Sequence, residues 1–306
     1  MTLQQLRYIV AIDRSRSFAG AAAELGVTQP TLSALLVKLE GELGVRIFER
    51  SNRSVRPTAI GERILAQTEK ILGDVDRITE TVVEQRQGLG GAVSIGIGPT
   101  IAPYLVPWFI RKFTASYPAV RLIVNEMRGD GIIDSLRRDK IDIGIAISGS
   151  ASPDVDEIPF YDEAFYVYMS DDCLLNQSVF NPADLDHENM WIMKESQCMR
   201  ESAFSFCKAR SIGRHIYEAG SIETLIRIVD INGGFTIIPE MHLPMLTEEQ
   251  RKNVRPIDGR YVSGRRVSIY IRKDFVRHKM LKAVVDTFLG IIPRKMISPA
   301  LTDCIS

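Results

Sequence analysis

Apolar residues recur at helical spacing through residues 1–60. Leu3, Leu6, Ile9 and Val10 form a first stripe; Phe18, Ala21, Ala22 and Leu25 form a second, opened by Ser17 as N-cap and closed by Gly26. Thr28 caps a third helix with Pro30 in its first turn, and Leu32, Leu35, Leu36 and Leu39 are its buried face. The opposite face carries Gln29, Thr31, Ser33, Ala34 and Lys38. Two short helices around a tight turn, the second showing small and amide-bearing side chains outward, predict a helix-turn-helix that enters a DNA major groove. Residues 41–58 add a basic hairpin with Asn52 at its tip, where Arg50, Arg53 and Arg56 suit phosphate contact.

From Thr58 to Gln85 the pattern lengthens. Ile64, Ile71 and Ile78 recur every seven residues, with Val75 and Val82 four after the last two, which is a heptad seam. A lone helix cannot bury such a stripe, so the pattern predicts dimerisation, against the plainer alternative of packing on its own domain. Gly88 to Gly91 reads as a hinge.

Beyond Ala92, short β-like runs at 92–98, 121–127, 141–148, 164–169, 234–239 and 266–272 alternate with helical stretches at 103–116, 130–139, 222–231 and 278–290. Such alternation predicts an α/β domain with a largely parallel sheet. Gly96, Gly98 and Pro99 end the first strand and Thr100 opens the next helix, as a plain N-cap or as a ligand contact. No phosphate-binding glycine motif is present, and no cofactor is implied.

Charge is balanced overall, 38 basic against 38 acidic residues. It is segregated, however: over residues 1–60 eight basic side chains face five acidic ones, a net charge of about +3. No run of about 18 apolar residues and no secretory signal pattern is seen, so a cytoplasmic protein with no membrane partner is expected. The four cysteines, Cys173, Cys198, Cys207 and Cys304, show no metal-ligand spacing and no nearby histidine, which speaks against a metal.

Two of those cysteines share the stretch QCMRESAFSFC, 197–207, where Met199, Ala203 and Phe206 mark a helical face. On such a helix Cys198 and Cys207 lie on opposite sides, on the order of 13 Å apart. A disulfide needs Cα atoms within about 4.4–6.8 Å. Either these thiols never pair, as two inert core residues, or their pairing is a conformational switch. Arg200 and the start of the helix beside Cys198 favour the reactive thiolate.

The segment SFAGAAAELGVTQPTLSALLVKLEGELGVRIFER resembles the winged helix-turn-helix of LysR-type transcriptional regulators, and the remainder up to about residue 292 is similar to their effector domain. Within that family, QCMRESAFSFC with SIETLIRIVDINGGFTIIP, and GPTIAPYLVP at 98–107, resemble the hydrogen peroxide-sensing activators. The resemblance implies an N-terminal all-α winged helix-turn-helix with a linker helix. It also implies a C-terminal α/β effector domain of two lobes, like a periplasmic binding protein. By position it makes Cys198 the peroxidatic cysteine, Cys207 the resolving one, Arg200 the arginine supporting the thiolate and Thr100 a pocket hydroxyl. Gln197 stands where those activators carry histidine, and Gly129 and Asp130 where a second pocket threonine is expected.

The domains expected on this basis are 1–58 (DNA-binding), 59–91 (linker and dimerisation helix), 92–292 (redox-sensing) and 293–306 (tail). The implied partners are double-stranded promoter DNA, RNA polymerase, hydrogen peroxide as signal, further copies of the chain as homodimer or homotetramer, and cellular thiol reductants. A rival within the family binds a small organic effector between the lobes, using Thr100, Ser221 and Thr224. A peroxide-consuming thiol enzyme is a rival from another class, disfavoured by the DNA-binding module.

Overall fold

A computed structural model describes residues 1–51, 54–87, 89–149, 152–171, 178–181, 190–193, 215–217, 221–259 and 264–301. It divides into two compact units, Met1–Gly90 with Arg137–Lys140 and Gly91–Leu136 with Ile141–Ser306. No helix of the described residues is long and apolar enough to cross a membrane.

The first unit opens with three helices and a hairpin and continues into a long fourth helix. Helix α1 (Leu3–Ser15) starts at a capping box in which Thr2 and Gln5 satisfy each other's backbone N–H groups. Helix α2 (Phe18–Leu25) is capped by Ser17, whose hydroxyl accepts from the Gly20 N–H, and ends at Gly26, φ 66°. Helix α3 (Gln29–Leu43) is capped by Thr28, has Pro30 in its first turn, and ends at Gly44, φ 69°. These caps absorb helix-end N–H and C=O groups that would otherwise be unpaired. Leu6, Ile9, Ile12, Ala21, Leu32, Leu36 and Leu39 make the common core. Strands β1 (Phe48–Ser51) and β2 (Ser54–Pro57) pair antiparallel, Phe48 opposite Pro57. The Glu40 carboxylate of α3 accepts the backbone N–H groups of Ile47 at 2.7 Å and Phe48 at 3.2 Å, which pins this hairpin to α3.

Helix α4 (Ala59–Gln87) divides the heptad seam. Leu65 is buried, and Ile64, Ile71 and Leu72 pack against the core of the first unit, whereas Ile78 is 68% and Val82 47% exposed. The plainer alternative therefore accounts for the first half of the stripe and leaves the second half open to a partner.

In the second unit, β3 (Gly91–Ile97) lies between β4 (Val120–Glu126) and β5 (Ile143–Ile147), parallel to both. Helices α5 (Ala102–Ser116) and α6 (Gly129–Arg137) provide the crossovers. The largely parallel sheet expected from the sequence is corrected from this point on. Among the described residues no helix separates β5 from β6 (Val155–Met169), and β11 (Gly264–Arg272) runs antiparallel to both. Further antiparallel neighbours of β6 are β9 (Phe235–Pro239) and β10 (Val254–Pro256), so the sheet is mixed. Strand β6 also begins at Val155 rather than at 164.

That long strand builds the two lobes. Residues 155–164 pair with β11 in the first lobe, and Phe165–Met169 pair with β9 in the second. The first lobe is filled by an aromatic stack of Phe109, Phe113 and Phe288, the last from helix α9 (His278–Leu289). In the second, helix α7 (Ile222–Asn232) lays Ile222, Leu225, Ile226 and Val229 against Tyr168 and Ile238. Short parallel strands β7 (Trp191–Met193) and β8 (His215–Tyr217), and β10, were not legible as strands: each has three residues, too few for an alternation to show. Between β9 and β10 lie a 3₁₀ turn, Glu240–Met245, and helix α8 (Glu248–Lys252).

Candidate functional site

Where β6 passes from one lobe to the other, a buried ion pair forms between directly opposed residues. Register places Arg265 of β11 opposite Glu163 of β6, and the Arg265 Nε donates to Glu163 Oε1 at 2.7 Å. The two side chains are 2% and 0% exposed. The other carboxylate oxygen, Glu163 Oε2, accepts the Met241 N–H at 3.2 Å, which ties the 3₁₀ turn of the second lobe to the same carboxylate. The Arg265 guanidinium also lies 5.8 Å over the Phe165 ring.

Thr100 is the third member. Strand β3 ends in a turn whose Gly98 N–H donates to Ile145 O, while Gly98 O accepts from Ile101 and Ala102, each at 2.9 Å. The N-cap of α5 is Ile101, with no side-chain cap bond, so the plain N-cap role for Thr100 is corrected. Its hydroxyl instead accepts from Arg265 Nη1 at 2.7 Å, and its carbonyl from Nη2 at 2.8 Å. A hydroxyl that accepts this bond still has its own proton to donate.

Tyr104 and Tyr161 lie within electrostatic reach of the pair, and His242 packs behind Tyr104. Tyr104 meets His242 edge to face, ring centroids 5.6 Å apart. Both tyrosine hydroxyls and His242 Nδ1 are buried without a hydrogen-bond partner among the described residues. Burial, reinforced by the Glu163 carboxylate, pushes the pKa of both phenols up. Burial opposes the Arg265 charge, but Glu163, Tyr161 and Tyr104 outweigh it and hold that pKa above its ordinary value. Burial also lowers the His242 pKa, with Glu223 partly opposing.

A histidine whose folded pKa is depressed adds no acid-linked penalty above its unfolded pKa of about 6.5. Below it the unfolded chain gains a proton first, so folding stability falls as pH drops toward the folded value. Thermal melts at about pH 7.5 and pH 5.5 are expected to show a smaller acid-induced loss for His242→Gln than for the parent. An equal loss in both proteins would remove His242 from the acid response.

Sequence reasoning singled out Thr100 and missed Arg265, Glu163, Tyr104, Tyr161 and His242. The available signal was weak: an arginine and a glutamate at inward positions of strands otherwise apolar on that face. Gln197, Cys198, Arg200 and Cys207, the helix expected at 197–207, and Cys173 and Cys304 all lie outside the described residues. Gly129 begins α6, with Asp130 in its first turn where an acidic side chain suits the helix dipole. Ser221 caps α7, its hydroxyl accepting the Thr224 N–H at 3.3 Å, so both residues have a structural task.

On α3, Gln29, Pro30, Thr31, Ala34 and Lys38 are exposed and Ser33 is half-buried. The Thr31 hydroxyl lies 2.8 Å from Thr28 Oγ1, within the cap of its own helix. Arg56 is exposed on β2 and Arg50 stands on β1 opposite Val55; Asn52 and Arg53 are outside the described residues.

Comparison with known proteins bears on both regions. A family model described as the bacterial regulatory helix-turn-helix protein, lysR family, matches residues 3–62, and one for the LysR substrate binding domain matches residues 86–290. The chain is 31% identical over 246 residues to the DNA-binding transcriptional dual regulator OxyR of Escherichia coli, covering 80% of this chain and 81% of that one. Full-length OxyR from Pseudomonas aeruginosa superposes with a TM-score of 0.78 at 29% identity, over 98% of each chain. A hydrogen peroxide-bound OxyR of Corynebacterium glutamicum matches at TM-score 0.60 and 25% identity, over 99% of this chain and 94% of that one.

Proposed function

Because the chain belongs to the LysR family of DNA-binding transcriptional regulators, and is not an enzyme, we propose that it is a hydrogen peroxide-responsive activator of oxidative-stress defence genes. The observation that carries this reading is the Thr100 hydroxyl, fixed by buried Arg265 at the lobe junction of a chain related to OxyR over 80% of its length. With one lone pair taken by Arg265, Thr100 donates its proton to a peroxide oxygen. Cys198 is the peroxidatic thiol, supported by Arg200 and Gln197. Its thiolate attacks one peroxide oxygen, the O–O bond breaks, and the other oxygen leaves as hydroxide and takes up a proton to become water. Cys207 then attacks the sulfenic sulfur, and a disulfide and a second water form. Peroxide is reduced by two electrons and the two thiols are oxidised; cellular thiol reductants reverse the step.

Helix α3 enters the major groove of promoter DNA with Gln29, Pro30, Thr31, Ser33, Ala34 and Lys38, while Arg50, Asn52, Arg53 and Arg56 of the wing hold the backbone. Pairing through the open half of the α4 seam makes the dimer, and dimers pair into a tetramer on the DNA. Closure of the disulfide repositions the DNA-binding units and so changes recruitment of RNA polymerase, in the cytoplasm. Sedimentation of the parent at monomer mass, or of Ile78→Lys at unchanged dimer mass, would contradict pairing through that seam.

Thiol trapping tests the sensing step. The reduced protein, treated with stoichiometric peroxide, alkylated and digested, is expected to yield a Cys198–Cys207 crosslink within seconds. Both thiols remaining free would leave a family member whose signal is another small molecule.

A further inference from the structure

The one β-branched apolar side chain of helix α3, Val37, is not used by its own core. Leu32, Leu36 and Leu39 are 0%, 2% and 1% exposed, while Val37 is 54% exposed. At about 100° per residue, Pro30, Ala34 and Val37 fall within about 60° of one another and roughly opposite those leucines. Gln29 and Ser33 border this line on one side, Thr31 and Lys38 on the other. Along the axis Val37 lies about 4.5 Å beyond Ala34 and about 10 Å beyond Pro30. Gly41 continues the same line with no side chain, and a Cβ placed there would meet nothing within 4 Å. The helix therefore offers Val37 at the far end of an unobstructed, solvent-facing edge.

We propose that Val37 is a specificity-determining residue of the DNA interface, reading a thymine through its C5-methyl group. This rests on the reading of α3 as the groove-entering helix. The family of the chain supplies DNA as the ligand independently of the exposure of Val37. Valine has no donor or acceptor. Of the base edges displayed in the major groove, thymine alone presents an apolar group, whereas cytosine offers an amino group and the purines offer polar atoms. Valine pressed against those atoms desolvates them without a replacement bond, a cost that discriminates against the wrong base. A β-branched side chain in a helix is confined to few rotamers, so the two methyls are placed before contact and little entropy is lost on docking.

Deoxyuridine pairs as thymidine does but lacks the methyl group, which makes it a direct probe. A duplex is selected from a random-sequence pool by the full-length reduced protein, and each thymine of the selected site is replaced in turn by deoxyuridine. One thymine in each half-site is expected to weaken binding about 3–5-fold on replacement, the worth of roughly one buried methyl. Val37→Ala is expected to bind the parent duplex more weakly and to be indifferent to that replacement. The substitution is on the surface and favours helix, and an unchanged thermal midpoint checks that it folds. A deoxyuridine penalty of equal size in Val37→Ala and parent, or no thymine whose methyl matters, overturns the role of Val37 while DNA binding stands. Failure to select any duplex overturns the DNA reading of α3 itself, an outcome that concerns the helix and not Val37 alone.

Discussion

Glu163→Ala is expected to destabilise the second unit by about 3–5 kcal/mol, the cost of leaving one member of a buried ion pair without its partner. Arg265 is held by two acceptor residues, Glu163 and Thr100, and only the first carries charge. Removing the carboxylate leaves a guanidinium that is 2% exposed with no counter-charge beside it, and it also strips the Met241 N–H of its acceptor. Both effects fall at the crossing between lobes. Urea unfolding, followed by a probe in the second unit, measures the loss. The double replacement Glu163→Leu with Arg265→Met is expected to regain much of it, since exchanging a buried pair for apolar residues of similar size is often close to neutral. Recovered stability does not restore the Thr100 hydroxyl to its bonded geometry, so this double variant separates folding from signalling. A loss below about 1 kcal/mol in Glu163→Ala would mean that water reaches the guanidinium, and that the pair does not hold the lobes.

Cys198→Ser is expected to abolish the peroxide-dependent change in transcription while leaving binding to promoter DNA in the reduced state within about twofold of the parent. A serine hydroxyl is not ionised near neutral pH and is a poor nucleophile toward peroxide, so the first step stops. Cys207→Ser is expected to differ: the first thiol still forms its sulfenic acid, but no 198–207 disulfide follows. Promoter output before and after peroxide, with the alkylation pattern of each variant, distinguishes the two. A full response in Cys198→Ser would sink the sensing assignment and leave the family membership untouched. Thr100→Val is a milder companion, because it keeps the shape and removes only the hydroxyl that Arg265 holds.

The features that the amino-acid order determined by itself are those whose causes lie close together along the chain. Ser17 and Gly20, or Thr28 and Thr31, are separated by three residues, so their caps and the stripes behind them are visible as spacing. The winged helix-turn-helix, the long helix after it, and most strands and helices of the second unit follow from such short-range patterns. The motif resemblance rests on the same contiguous stretches. What local pattern could not supply was strand direction. Alternation of strands and helices suggested parallel pairing; β5 and β6 do share a direction, but β11, far later in the chain, lies between them and pairs antiparallel to both.

Tertiary structure alone decided the lobe junction. Arg265 meets Thr100 across 165 positions and Glu163 across 102, and no period in the sequence spans such distances. The heptad stripe of α4 likewise appeared uniform as sequence, yet Ile64 and Ile71 pack on the first unit while Ile78 is open to solvent. The reason is the same in both cases. A side chain's periodic position states which face it shares, whereas its partner depends on which other element is folded against that face. Charge makes this dependence sharpest: an arginine at an inward strand position is prohibitive alone and stable beside a carboxylate, and that carboxylate comes from a distant strand.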